Sequence, residues 1–248
     1  MRLSPRAALR VAGLVLLLAV LAPIHVVTKL LLLRRSPWPR RFLASAAWIM
    51  GARTSVVGAP PRPGSLIVAN HTSWLDIVVL GGVTGCAFVS KDQLGHSLIH
   101  WLADQGHTIY VNRAARRQVG EQAAAIASAL ERGEVVAFFP EGTVGPGDRL
   151  LPFRPPLFAA ANSGKHFDVR AVAIDYGRAA TDISWFGEDG MRNILRVLGR
   201  RGTLPVTVRF LEPLPDGDRK QLAAQASEQI AAALGFKSAL HSPIDEVQ

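Results

Sequence analysis

Two side chains suited to moving a proton stand five positions apart, His71 and Asp76 in the run Asn70-His71-Thr72-Ser73-Trp74-Leu75-Asp76. A carboxylate bonded to one ring nitrogen holds an imidazole in one tautomer and leaves the other nitrogen as a general base, a device that contributes about 10²- to 10⁴-fold to a reaction. The spacing decides how they can meet. On a regular helix five residues separate side chains by about 140°, and on a strand they point to opposite faces. Contact therefore requires a turn, with His71 in it and Asp76 in the first turn of the helix that follows. Ser73 and Asp76 also have capping-box spacing, and a carboxylate suits a helix N-terminus in its own right. That structural alternative leaves His71 an ordinary loop histidine.

A second group follows the β-rich run that ends at Phe139. Pro140-Glu141-Gly142-Thr143 puts a carboxylate, a conformationally free glycine and a hydroxyl at a strand's C-terminal end, the edge where open α/β sheets bind ligands. A plain Pro/Gly turn with Glu141 in solvent and Thr143 as a cap is the alternative.

The elements that must hold these residues are legible as alternating β-rich and helical stretches from Ser65 onward, a pattern that predicts an α/β sheet. Strands are expected at 66–69, 87–90, 108–112, 135–139, 169–174 and 206–210. Helices are expected at 118–131 and 219–234, with Gly133 and Gly235 just beyond their ends. The stretch GAPPRPG at 58–64 reads as a linker. It divides an N-terminal membrane-associated helical segment with its basic flank (1–57) from a catalytic domain (65–248).

In the N-terminal segment the apolar run VAGLVLLLAVLAPI covers 11–24, and a leucine block ends at Leu33. Pro23 favours a bend. Arg2, Arg6 and Arg10 precede the segment and Arg34, Arg35, Arg40 and Arg41 follow it, so the positive-inside rule assigns no orientation. Basic flanks at both ends suit a monotopic helical hairpin on an anionic cytoplasmic leaflet. A cleaved signal peptide and a single tilted transmembrane helix through Leu33 are the competing readings; no A-x-A site closes the run.

Composition narrows the classes further. Apolar residues at 49% and charged residues at 19% of 248 exclude a disordered chain or a charged coiled coil. The net charge of +9 favours anionic partners. No zinc-finger, RNP or long basic-helix motif accompanies it, so nucleic acid is not expected as a partner. A single cysteine, Cys86, excludes an internal disulfide and a multi-cysteine zinc cluster, and its setting reads as a buried strand. Asp92, His96, His100 and Asp104 recur every four residues, but one helix would spread them over about 18 Å, too far to share an ion. They read as a polar helix face, with no metal.

Taken together, NHTSWLD and FFPEGT resemble the glycerolipid acyltransferase family typified by 1-acyl-glycerol-3-phosphate acyltransferases, marked by a histidine, four residues and an aspartate, then FPEGT downstream. The likeness runs from about Ser65 to Glu212 and takes in Lys91 in FVSKDQLG, Arg113 at the end of GHTIYVNR, and LLPFRPPLF. It implies a mixed sheet flanked by helices, His71 and Asp76 as the catalytic pair, and Arg113, Glu141, Gly142, Thr143 and Lys91 as substrate-binding residues. It implies no cofactor, acyl-CoA or acyl carrier protein as donor, and a lysolipid acceptor at the cytoplasmic face of a bacterial inner membrane. The first acceptor reading is 1-acyl-glycerol-3-phosphate, giving phosphatidic acid. Two departures bear on that reading. Val144 and Gly145 stand where the family often has arginine and serine, and Ala171 stands where it usually has proline. The later segment ISWFGEDGMRNILRVL resembles a subgroup that includes lyso-ornithine lipid acyltransferases, which keeps a second acceptor open. A non-catalytic basic membrane-binding protein is the alternative from another class; the intact His71/Asp76 pair argues against it.

Overall fold

Leu66-Ile67-Val68-Ala69 has no polar face, and a strand of that kind belongs in the middle of a sheet covered on both sides. The computed structural model, which describes residues 4–32, 36–91, 97–111, 119–162 and 167–236, places it there. This strand, β2 (Leu66–Ala69), is fully buried along its length. It pairs in parallel with β5 (Val136–Phe138) on one side and β6 (Val169–Asp175) on the other. The remaining strands are β1 (Ala52–Val57), β3 (Ala87–Lys91), β4 (Ile109–Val111) and β7 (Leu204–Pro213). The sheet order is β1-β7-β6-β2-β5-β3-β4. Only the β6–β7 pairing is antiparallel, so the expected mixed sheet forms.

Side chains of alternate residues feed two cores. Leu66 and Val68 pack on one face with Ile126 of α5 (Val119–Glu131), Phe158 of the 3-10 segment Pro155–Asn162, and Ile230 of α8 (Arg219–Leu234). Ile67 and Ala69 pack on the other with Leu75, Val79 and Leu80 of α3 (Leu75–Thr84), Ala47 of α2 (Trp38–Ile49), Ile183 of α6 (Ala180–Ile183) and Val197 of α7 (Gly190–Gly199). Each leucine, isoleucine or valine among them contributes about 2 kcal/mol by leaving water. α8 begins and ends where the sequence pattern puts it: Asp218 and Gln221 form a capping box at its start, and Gly235 lies past its end.

The expected strands all appear: β2 matches 66–69 at both ends, and each of the others has one or both ends shifted by one to three residues. The sequence pattern did not expose β1. Only Ala52 in it is buried, so it carries no alternating signal, and its pairing with β7 makes it a strand. Its residues lie within the 1–57 segment.

The N-terminal segment differs from the hairpin expected of it. α1 (Pro5–Leu32) is one helix of 28 residues that continues through Pro23. An internal proline costs about 3 kcal/mol, and contacts on both sides of it hold the helix. Before it, Arg10 donates to the Val197 and Leu198 carbonyls at the end of α7, the latter at 2.9 Å. After it, buried His25 is bonded to Ser36 Oγ at 2.9 Å and Gln105 Oε1 at 3.0 Å, and Trp38 Nε1–H donates to Thr28 Oγ1 at 2.9 Å. Gln105 closes α4 (Ser97–Gln105). α1 is long and apolar enough to cross a membrane, and leaves Leu9, Val15, Leu16, Val20, Leu30 and Leu31 exposed.

Candidate active site

Because β5 and β6 flank β2 in parallel, the C-terminal ends of three strands lie side by side. The residues that leave those ends are Asn70 and His71 from β2, Phe139 to Glu141 from β5, and Tyr176 from β6. Asn70 ties two of the ends together: its side-chain amide donates to the Ile174 carbonyl at 3.1 Å, and its oxygen accepts from the Ile174 N–H at 2.8 Å.

His71 and Asp76 meet across the turn as the spacing requires. The His71 Nδ1–H donates to Asp76 Oδ2 at 2.9 Å. The same oxygen accepts the backbone N–H of Thr72 at 2.6 Å and of Ser73 at 2.8 Å. Asp76 thus occupies the first turn of α3, where the positive helix end favours it, and half of the expected capping box forms: Asp76 accepts the Ser73 N–H, while Ser73 Oγ accepts the Leu75 N–H at 3.4 Å and not that of Asp76. Asp76 is completely buried, while the His71 side chain keeps 15% of its surface exposed. Its ring stacks on Phe139, with centroids 4.1 Å apart and planes 13° off parallel. With Nδ1 committed to Asp76, Nε2 has no hydrogen-bond partner among the described residues and is the nitrogen left to accept a proton.

Glu141 is buried, and both of its oxygens are engaged. Oε1 accepts the His71 backbone N–H at 2.7 Å and Oε2 accepts the Leu151 N–H at 2.9 Å. Burial pushes its carboxyl up to about 7, against the pull of those two donors. The Gly145 N–H donates in turn to the His71 carbonyl at 2.6 Å, so the loop after β5 grips the His71 peptide from both sides. Two glycines make this grip possible. Gly142 has φ +74°, a region that disfavours residues with a Cβ. A Cβ on Gly145 would lie 2.9 Å from Glu141 Oε2. The departure at 145 therefore fits the closeness of this loop.

The other residues singled out in the sequence are placed as follows. Thr143 is exposed on the same loop. Lys91 is the last residue of β3, which pairs with β5 and ends at the same sheet edge; its side chain lies outside the described residues, as does Arg113. Cys86 is buried in the α3-side core, and burial pushes its thiol up to about 12, so it behaves as a small apolar residue. His100 stacks on Tyr110 at 4.6 Å, and Asp104 accepts the Tyr110 hydroxyl at 2.7 Å; Asp92 and His96 lie outside the described residues. Among the described residues no three His, Cys, Asp or Glu side chains gather as a metal site.

Several contacts of the site were not read from the sequence, although Trp74 lies in NHTSWLD and residues 184–193 lie in ISWFGEDGMRNILRVL. The Tyr176 hydroxyl donates to Asp76 Oδ1 at 2.7 Å; its place just after a β-rich run was the available signal. Trp74 Nε1–H donates to Asn193 Oδ1 at 3.0 Å, and Asn193 is fully buried. The Trp185 N–H donates to the Thr72 carbonyl at 3.4 Å, and Ser184 Oγ–H to the Gly145 carbonyl at 2.8 Å. The segment 184–193 is thus fastened to both loops of the site.

The Acyltransferase family profile matches residues 53–174, which span β1 to β6. The lyso-ornithine lipid O-acyltransferase of Brucella abortus is 33% identical, over 81% of this chain and 84% of its own. The 1-acyl-sn-glycerol-3-phosphate acyltransferase of Neisseria gonorrhoeae is 36% identical, over 48% of this chain and 47% of its own. In fold, the crystal structure of the 1-acyl-sn-glycerophosphate (LPA) acyltransferase from Thermotoga maritima superposes with a TM-score of 0.61 at 22% identity, covering 94% of this chain and 100% of that one. With its mixed sheet, its paired histidine and aspartate at one sheet edge, and these similarities, the chain belongs to the acyltransferase family.

Proposed function

We propose that this protein is a membrane-associated O-acyltransferase that moves a fatty acyl group from acyl-CoA or acyl carrier protein to the hydroxyl of a lysolipid, with lyso-ornithine lipid as the acceptor. His71 Nε2 takes the proton from the acceptor hydroxyl as that oxygen attacks the thioester carbonyl. Asp76, across the ring, holds the tautomer and stabilises the imidazolium that forms. Collapse of the tetrahedral intermediate breaks the C–S bond, and the departing thiolate recovers the proton from His71. No covalent acyl-enzyme is needed. Glu141 acts here by bracing the His71 peptide, while Gly142 and Thr143 on the same loop, with Lys91 and Arg113, bind the acceptor's polar head and the donor. Arginine and lysine suit the anionic groups both substrates carry.

One observation carries the choice of acceptor. An alignment over 81% of the chain, as with the Brucella abortus protein, necessarily includes the segment 184–193 that is fastened to the site. A segment against the catalytic turn is where differences between acceptors can be read. The second reading, 1-acyl-glycerol-3-phosphate, is supported by the shorter similarity to the Neisseria gonorrhoeae enzyme. The valine and glycine at 144 and 145 weigh against it, because they supply no guanidinium for a phosphate.

In this reading the N-terminal helices make the membrane contact and residues 65–248 carry the chemistry. The exposed aliphatic face of α1 lies in the boundary between headgroups and chains, flanked by arginines that favour acidic lipids. The test supplies purified protein with labelled acyl-CoA or acyl carrier protein and both lysolipids. We expect turnover that His71→Ala abolishes, and a higher kcat/KM with lyso-ornithine lipid. Undiminished turnover by His71→Ala removes the proposed base; preference for lysophosphatidic acid reverses the acceptor assignment.

A further inference from the structure

A buried tyrosine must find a partner for its hydroxyl, and any backbone carbonyl would serve. Tyr176 is 4% exposed, and it uses its hydroxyl on the catalytic carboxylate. The four donors around Asp76 divide unequally: Oδ2 accepts the His71 ring and the Thr72 and Ser73 N–H groups, and Oδ1 accepts Tyr176. We infer that Tyr176 is a positioning residue that fixes the plane of the Asp76 carboxylate and sets how strongly that carboxylate draws the proton onto His71.

Two physical effects follow from the geometry. With Oδ1 held at 2.7 Å, the carboxylate cannot rotate about its Cβ–Cγ bond, so Oδ2 stays in line with the His71 ring. The phenolic hydrogen also draws negative charge toward Oδ1, away from the oxygen that faces the imidazole. Donors to an ionised acceptor are about twice as strong as neutral ones, so this withdrawal is felt at Oδ2. Tyr176 is suited to the task throughout the working pH range, because burial and the neighbouring carboxylate raise its own hydroxyl well above its ordinary value and keep it protonated. Its position is rigid: it follows β6, whose end is joined to the end of β2 through Asn70 and Ile174.

The inference rests on His71 being the base, and the experiment separates the two. The pH dependence of kcat/KM is measured for the unaltered protein, for Tyr176→Phe, and for the protein carrying 3-fluorotyrosine at 176, alongside His71→Ala. Removing the donor concentrates charge on Oδ2 and favours the imidazolium. The acidic limb should therefore move to higher pH, by about half a unit to one unit, where one unit is tenfold in the proton equilibrium. The fluorinated phenol is a stronger donor of nearly the same shape and should move the limb the opposite way. kcat at neutral pH should fall about tenfold in Tyr176→Phe, short of the ~100-fold that an ångström of misplacement costs, with KM for both substrates within about twofold.

Besides Asp76, Glu141 is the titratable group among the described residues that bonds His71, through the His71 peptide. It is present in all three proteins, so the displacement between their profiles reports Tyr176. Limbs that coincide in both variants, or a change confined to KM, would overturn the inference. If Tyr176→Phe does not fold, the fluorinated protein alone decides by the sign of its shift. Retained turnover in His71→Ala would remove the base itself, whereas a dead His71→Ala with unmoved limbs would remove only the role of Tyr176.

Discussion

Replacing Glu141 with glutamine tests how the loop after β5 is held, and its effect should depend on pH. In the folded protein burial lifts the Glu141 carboxyl to about 7, from an ordinary value of 4.5. The folded state then binds the proton more tightly than the unfolded chain does. The stability this contributes is fully present below about 4.5 and is lost as pH rises through about 7. At 1.36 kcal/mol per unit, the unaltered protein should lose about 3 kcal/mol from this group between pH 5 and pH 8. Glutamine resembles the protonated acid and does not titrate, so its contribution is flat over that interval. It also cannot accept both N–H groups now bound at 2.7 and 2.9 Å, and one poorly satisfied buried donor costs about 1–3 kcal/mol at any pH. The pH-independent cost cancels when the two pH values are compared. Glu141→Gln should therefore be more destabilising at pH 5 than at pH 8 by about 3 kcal/mol. For a chain of this size that is a difference of about 6–12 °C between the two shifts in melting temperature. The assay is thermal unfolding of both proteins at both pH values in one detergent. Equal shifts at pH 5 and pH 8 would mean that the two backbone donors keep Glu141 ionised and that burial does not govern it.

Asp76→Asn keeps the shape of the side chain but supports the wrong histidine tautomer, so kcat should fall about 10³- to 10⁴-fold; a loss under tenfold in steady-state assays would contradict the assigned orientation. Asp76→Ala strips the acceptor from the Thr72 and Ser73 N–H groups and the Tyr176 hydroxyl. It should lower stability by about 4 kcal/mol, read as a melting temperature well below that of His71→Ala. Trp74→Phe leaves the buried Asn193 oxygen without its donor and should cost about 1–2 kcal/mol. It should also change the ratio of kcat/KM between lyso-ornithine lipid and lysophosphatidic acid; an unchanged ratio would separate segment 184–193 from acceptor choice. Leu16→Glu with Leu30→Glu charges two exposed positions of α1, and flotation with acidic vesicles should fall about tenfold or more without a change in melting temperature. Undiminished flotation would take α1 out of the membrane contact.

What the sequence determined by itself is what short-range physics controls. The apolar run at 66–69, the capping residues around α8 and the break at Pro140 act within a few residues, so those elements can be read locally. The His71–Asp76 contact also lies within that range, because the five-residue spacing admits only a turn. Tertiary structure decided how the site is completed. Tyr176 reaches Asp76 across 100 positions, and Glu141 reaches the His71 peptide across 70. These contacts exist because β5 and β6 insert on either side of β2, an order that chain sequence does not dictate. The same holds for β1, which has one buried residue and becomes a strand by pairing with β7. It holds too for α1, which passes through Pro23 because contacts from α7 at one end and from Ser36, Trp38 and Gln105 at the other hold both halves in line. A hydrogen bond between distant residues leaves no periodic trace in the sequence, since its partners are brought together by the packing of everything between them.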